Sequence, residues 1–436
     1  MALFLRRPIS GIVILCVFLL CFVFCRTGLQ AAKVRNLQLF EEFFVLRKVM
    51  NLVNQQYVEE KKVDRQQLLY GAIEGVIGTL DDPFTRFMKP ETFNDMQTEA
   101  SGEFGGLGIL ISVKKDVLTV IAPMPSTPAY REGIQAGDQI IKVDDKPTRG
   151  MSVNDAVKIL RGPVGSKVVL SIRRKGVRKL LKYEITRAKI KVSSVKARMI
   201  DENIAYVHLS GFIKTTGEDL EKAIAEYEKD YELKGLVLDV RNNPGGLLNA
   251  AVDVSRVFLG KSKIVSVRSR DGDEVSYSSF AQDHKDFPIV VLTNRGSASA
   301  SEIVAGAIRD NGRGVLLGEK TFGKGSVQTV LPLPDKSALA LTTAYYYTPS
   351  GVCIHKKGIR PHIPVSLPKL SDAEVRELRA EREKELTSNE KGEFMKVSRF
   401  DTQLRRAVDL LRASNVFYRQ VLLSGDTSRT NTARRD

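Results

Sequence analysis

The apolar run Pro288-Ile289-Val290-Val291-Leu292 breaks into the small-residue turn Gly296-Ser297-Ala298-Ser299-Ala300-Ser301-Glu302, and this junction constrains the fold more than any other stretch. Consecutive apolar, largely β-branched residues without alternation read as a buried strand, and Ala300 to Arg309 reads as a helix. A second apolar strand, Leu236-Val237-Leu238-Asp239-Val240, runs into Arg241-Asn242-Asn243-Pro244-Gly245-Gly246. From Ile204 to about Leu367 strands alternate with helices, which is the pattern of an α/β core.

A serine between that strand and that helix lies where free backbone N–H groups and the positive end of the helix dipole stabilise an oxyanion. Ser299-Ala300-Ser301-Glu302 also spells a capping box, in which the serine only satisfies the helix end. Lys324, in Thr321-Phe322-Gly323-Lys324-Gly325-Ser326-Val327-Gln328, is either a surface lysine in a glycine-rich hairpin or a general base. A lysine base must be neutral, which asks for a downward shift of about 3 units, roughly 4 kcal/mol, from about 10.4. Phe322, Val327, Val330 and Leu331 are the apolar neighbours expected to supply it, Gly323 and Gly325 let backbone close in, and Gln328 offers an uncharged hydrogen bond to the amine. An N–H of Gly245 or Gly246 would complement that of Ala300 around an oxyanion if the two strands are neighbours; otherwise Asn242–Gly246 is an ordinary tight turn. Chemistry alone leaves Ser297, Ser299 and Ser301 equally eligible as nucleophile.

These segments, with Gly318-Glu319-Lys320 ahead of the lysine and Asp239 through Gly246, resemble the carboxyl-terminal processing peptidases, or tail-specific proteases. Tyr57-Val58 and Leu80-Asp81-Asp82-Pro83-Phe84-Thr85 extend the resemblance towards the N-terminus. It implies Ser299 as nucleophile, Lys324 as general base and Gln328 as its orienting partner. It also implies an α+β / α/β multidomain chain: a crotonase-like ββα protease core with an inserted PDZ domain and N- and C-terminal helices. Gly102-Glu103-Phe104-Gly105-Gly106-Leu107-Gly108-Ile109 resembles the carboxylate-binding loop of a PDZ domain, where the amides of Gly105, Gly106, Leu107 and Gly108 would take a terminal carboxylate beside a pocket lined by Leu107 and Ile109. Val117–Ile121 and Gly137–Val143 read as strands of that module, and Ser152 to Leu160 as its helix, with Val153, Ala156, Val157 and Leu160 on one face. Arg161, just after the helix, is expected from its position and from the resemblance to carry occupancy of the loop to the protease core.

The expected organisation is a signal peptide or membrane anchor over 1–30, a helical region over 33–100, a PDZ domain over 101–190, a protease core over 191–368 and a helical region with tail over 369–436. Arg6-Arg7 ahead of an apolar stretch from about Ile9 to Phe24 read as an export signal or short anchor that sends the rest across the membrane. Cys16, Cys21 and Cys25 belong to that stretch and Cys353 stands alone, so no intrachain disulfide is expected in the remainder. His208, His284, His355 and His362 match no zinc pattern; neither metal nor cofactor is expected. The net charge is +16; basic residues are dense in Arg173–Lys179 and are mixed with acids in the C-terminal helices, and solvated faces, anionic headgroups or acidic partners account for them better than nucleic acid does. A nucleotide-binding reading of Gly318–Gly325 fails because Gly325 stands where a magnesium ligand is needed and a strand-like run follows. A non-catalytic PDZ scaffold would lack Ser299, Lys324 or Gln328, and no Gly-x-Ser-x-Gly elbow supports a Ser-His-Asp hydrolase. The expected function is a serine endopeptidase that binds protein substrates by their C-terminal tails and cleaves exported proteins near that end. Its expected place is the periplasmic side of the cytoplasmic membrane, anchored or secreted, with inner-membrane association and with room for an adaptor protein or a homo-oligomer.

Overall fold

The computed structural model describes residues 43–114, 116–282, 284–387 and 394–430. Arg6, Arg7, the apolar stretch Ile9 to Phe24 and its three cysteines lie outside the described residues. Among the described residues no helix is long and apolar enough to cross a membrane.

The chain divides into two units, residues 1–87 and 88–436. In the first, a helix over 43–56 precedes the helix Arg65–Gly78, whose N-terminus Asp64 caps by accepting from Gln66 N and Gln67 N. Asp82 turns the chain beyond it, accepting from Phe84 N and Thr85 Oγ1.

The second unit holds the PDZ-like module and the α/β core. The module is an antiparallel sheet of strands Ile109–Lys114, Val117–Pro123, Gln139–Val143, Lys167–Arg173 and Leu181–Thr186, paired in that order. Its interior is Leu118, Val120, Ile140, Leu170, Ile172 and Ile185, closed by Ala156 and Leu160 of the helix Val153–Leu160. Ser152 caps that helix by accepting from Asp155 N. Arg174, expected on a solvated basic face, is instead mostly buried and forks both carboxylate oxygens of the buried Asp138 at 2.7 Å. The chain enters and leaves the module side by side, because Glu103–Gly106 pairs antiparallel with Ala188–Lys191. Gly105 and Gly106 are therefore strand residues and not part of a loop.

The core is a six-stranded sheet in the order Val195–Met199, Ile204–Leu209, Gly235–Asp239, Ile289–Thr293, Val315–Gly318, Ile363–Pro364. The first pair is antiparallel and the others parallel, as expected where strands alternate with crossover helices. Gly235–Asp239 and Ile289–Thr293 are buried throughout because both faces are covered. Leu236, Leu238 and Val291 meet the helices Thr216–Glu228, Leu248–Phe258 and Ala300–Asp310 on one side. Val237, Val290 and Leu292 meet Leu404, Ala407, Val408 and Leu411 of the helix Thr402–Thr430 on the other. Leu404 to Leu411 thus form a packing face. A second sheet, built from Ser262–Ser269, Glu274–Ser279, Ser326–Pro332 and Ala338–Tyr347, carries the lysine loop at the start of Ser326–Pro332.

Candidate active site

Strands Gly235–Asp239 and Ile289–Thr293 are parallel neighbours, so the turns that follow them emerge at the same edge of the sheet. The two turns are tied together by their own side chains. Asn242 N–H donates to Asn294 Oδ1 at 2.9 Å while Asn294 Nδ2 donates to Asn242 Oδ1 at 2.9 Å. Asn243, fully buried, donates from Nδ2 to Leu209 O at 2.8 Å, and its carbonyl accepts from Ala298 N at 3.0 Å and Ser301 Oγ at 2.9 Å.

These ties separate the three serines. Ser297 and Ser301 are fully buried, and their hydroxyls donate to main-chain carbonyls, Ser297 Oγ to Val240 O at 2.8 Å and Ser301 Oγ to Asn243 O at 2.9 Å. Ser299 is half-buried at the head of the helix Ala300–Asp310, with φ 55° and ψ −113°. A positive φ in a residue bearing a Cβ costs on the order of 1–3 kcal/mol and persists only where the surroundings hold it. Here Ser299 N–H donates to Glu302 Oε2 at 2.9 Å, and Ser299 O accepts from the N–H groups of Glu302 and Ile303.

Glu302 does more than cap. Its buried carboxylate accepts from Thr321 Oγ1 at 2.5 Å, Gly323 N at 2.7 Å and Lys324 N at 2.8 Å as well as from Ser299 N. One oxygen, Oε2, thus joins the backbone of Ser299 to the backbone of Lys324. Burial pushes the Glu302 carboxyl above the usual carboxylate range, and the bonds from Thr321, Ser299, Gly323 and Lys324 only partly oppose it. Sequence reading found Glu302 only as a capping residue. The available signal was a charged side chain inside a helix otherwise buried from Ala300 to Ile308, where a carboxylate must have donors to hold.

The lysine loop is packed by backbone. Lys324 is half-buried, Phe322 N–H donates to Ser297 O at 3.0 Å, and Lys356 N–H donates to Gly323 O at 2.8 Å. A Cβ on Gly325 would stand 2.2 Å from His355 N, so only glycine permits that approach. The apolar enclosure expected from four side chains is not how the loop is built: Phe322 is 62% exposed and Leu331 43%, while Val327 packs on the main core and Val330 beside Met88 and Ala338. With its backbone pinned to Ser297 O, Phe322 turns its ring to solvent. Gln328 Nε2 donates to Ser326 Oγ at 3.0 Å and Thr342 Oγ1 at 3.1 Å, so its amide oxygen is the group with which it can accept.

Of the proposed oxyanion donors, Gly245 and Ala300 lie side by side. A Cβ on Gly245 would lie 2.8 Å from Ser299 Cβ and 3.0 Å from Ala300 N, and Gly245 has φ 107°. Ala300 opens the helix, so its N–H is one of those a helix leaves without an intrahelical partner. Gly245 N–H donates to Asn243 Oδ1 at 2.9 Å, and Gly246 packs against Phe212, whose carbonyl a Cβ would meet at 2.2 Å.

In the PDZ-like module a cavity of about 210 Å³ is lined by Gly106, Leu107, Gly108, Ile109, Val153 and Arg161, among others. Gly105 does not line it: its carbonyl accepts from Gly162 N at 3.1 Å, and its Cα faces Gly162 so closely that a Cβ would stand 2.1 Å from Gly162 O. The Arg161 guanidinium lies 4.2 Å from the centroid of the Phe104 ring. Both residues also line a second cavity of about 290 Å³ with Ser210, Gly211 and Ile213, next to the Phe212–Gly246 bridge.

Residues 203–365 match the model of peptidase family S41, residues 119–174 that of a PDZ domain, and residues 26–92 that of the N-terminal domain of the activating protease CtpB. The carboxy-terminal-processing protease of Bartonella bacilliformis is 42% identical over 365 residues, spanning 80% of this chain and 84% of that protein. The chain belongs to the carboxyl-terminal processing protease family. The carboxy-terminal processing protease CtpB of Bacillus subtilis is 37% identical over 327 residues, 74% of this chain and 68% of its own length. A solved photosystem II D1 C-terminal processing protease is 33% identical, covers 74% of this chain and 94% of its own, and superposes with a TM-score of 0.45. This carboxyl-terminal processing protease is thus a serine peptidase that carries a PDZ domain within its chain.

Proposed function

We propose that Ser299 is the nucleophile and Lys324 the general base of a tail-directed endopeptidase acting on exported proteins. The observation that carries this reading is the separation of the serines: the hydroxyls of Ser297 and Ser301 are buried on carbonyls, whereas Ser299 is accessible, strained and joined through Glu302 to the lysine loop. In the acylation step Ser299 Oγ attacks the scissile carbonyl and its proton passes to neutral Lys324 Nζ; Gln328 Oε1 orients the amine. The oxyanion is taken by the N–H of Ala300 with that of Gly245 or Gly246, the former after leaving Asn243 Oδ1. Lys324 then returns the proton to the leaving amine, and water hydrolyses the acyl-enzyme by the reverse relay.

The groove at Gly106–Ile109 holds the substrate's terminal carboxylate and its last apolar side chain, and Arg161, stacked on Phe104 between two cavities, links occupancy to the core. The working place is the periplasmic side of the cytoplasmic membrane, with anchorage through the N-terminal apolar stretch; an adaptor and self-association are compatible with it. The deciding experiment incubates candidate exported proteins with the enzyme and with Ser299→Ala and Lys324→Ala, followed by mass spectrometry of the products. Both variants should be folded and inactive. Cleavage by Ser299→Ala would overturn the assignment.

A further inference from the structure

The turn that presents Gly245 and Gly246 is gripped from a direction that the serine chemistry does not explain. Arg241, the second residue after the strand Gly235–Asp239, is mostly buried. Its Nε donates to both oxygens of Asp239, its Nη1 to Asp401 Oδ1 at 2.8 Å and Gln403 Oε1 at 3.0 Å, and its Nη2 to Asp239 Oδ2 at 2.6 Å and Asp401 Oδ2 at 2.8 Å. Every N–H of the guanidinium is directed at an oxygen. Asp239 is held in turn by the Tyr206 hydroxyl at 2.8 Å and by Arg241 N–H at 2.9 Å. Burial works against the charge on Arg241, but Asp239 and Asp401 outweigh it and raise the guanidinium pKa above its usual value.

We propose that Asp401 and Gln403, at the start of the C-terminal helix, are positioning residues for the peptidase reaction: through Arg241 they fix the turn whose amides receive the oxyanion. Both lie beyond residue 365, where the peptidase family match ends. Each is itself anchored. Asp401 caps the helix by accepting from Leu404 N at 2.9 Å, and Gln403 Nε2 donates to Val365 O at 2.7 Å, at the sheet edge next to Ile363–Pro364. Asp239 holds Arg241 from only two residues away, at the end of the strand that leads into the turn. The second carboxylate makes it a strut between the turn and a helix packed across the sheet. A displacement of about 1 Å at such a turn is enough to cost on the order of a hundredfold in rate.

This inference rests on the assignment of Gly245, Gly246 and Ala300 as the oxyanion turn. The test uses the full chain carrying Asp401→Asn, which keeps a helix cap but removes the carboxylate, and separately Gln403→Met, which changes no charge. For each folded variant, measured by circular dichroism, kcat should fall about tenfold or more with KM within about twofold. Affinity for a peptide boronate, which takes the tetrahedral form, should fall with it, while binding of an uncleaved tail peptide stays at the wild-type value. A merely structural role predicts a lower melting temperature with kcat and boronate affinity unchanged in the folded fraction, and that result overturns the proposal. Should Asp401→Asn not fold, Gln403→Met alone decides. An active Ser299→Ala would instead remove the site reading; an inactive Ser299→Ala beside wild-type kcat in both variants would remove only the role of Asp401 and Gln403.

Discussion

Ser297 and Ser301 are related to Ser299 by spacing and separated from it by hydrogen bonding, so their replacement should read as stability and not as chemistry. Ser297→Ala leaves Asn294 N without its partner and takes one of two donors from Val240 O, which costs about 1–3 kcal/mol, the range for an unsatisfied buried group. Urea unfolding should show that loss while turnover per folded molecule stays measurable. Glu302 is the sharper case, since all its partners are donors and the ionised carboxylate is the form that satisfies them. Glu302→Gln would set an amide NH₂ against N–H groups and should lower turnover about 10- to 100-fold, checked by steady-state kinetics with circular dichroism as the folding control. Because folding raises this pKa, the group's contribution to stability is fully present below the ordinary glutamate value of about 4.3 and is lost as pH rises through the folded value. Wild-type stability should therefore decline relative to Glu302→Gln across that window, and parallel pH profiles would contradict the shift. The proposed trio of Ser299, Lys324 and Gln328 could be named from the sequence because each stands in a short motif that carries the family resemblance. Glu302, Asn243 and Arg241 were not, because a tie between distant segments leaves no local pattern.

The elements themselves were largely legible, and for a common reason. Strands such as Ile289–Thr293 and helices such as Val153–Leu160 show their burial as composition or period, and Ser152 marks the start of the latter. What spacing could not give was pairing. Gly105 and Gly106 looked like a loop because glycines are common in loops, yet they form a ladder with Lys189 and Ala188 where Gly162 crowds the chain. The same limit applies to the C-terminal helix, where spacing does not say what Leu404 to Leu411 cover. Leu411 reaches Gly235 so closely that a Cβ there would lie 3.1 Å from its side chain. Leu411→Ala should cost about 2–5 kcal/mol in chemical denaturation, because both the packing and the bare glycine backbone beneath it are left open. A loss well below that range would mean the helix closes onto the space.

At the scale of the molecule, the PDZ-like module is an insertion whose two ends meet, so removing residues 107–187 and joining Gly106 to Ala188 through a short glycine–serine turn should leave a folded core. Melting curves and labelling of Ser299 by a fluorophosphonate probe would check it; an unfolded product would show that the core needs the module. The paired strands also have a mechanical meaning. A tether of one strand would let the module spin, whereas two strands held flat against each other resist twisting and bend most easily across the face of the ribbon. Tension on a tail held as proposed at Gly106–Ile109 would pass along both covalent backbones in parallel and load none of the hydrogen bonds between them in shear. By this geometry the connection through Glu103–Gly106 and Ala188–Lys191 should yield to tilting before it yields to twisting, as a leaf spring does.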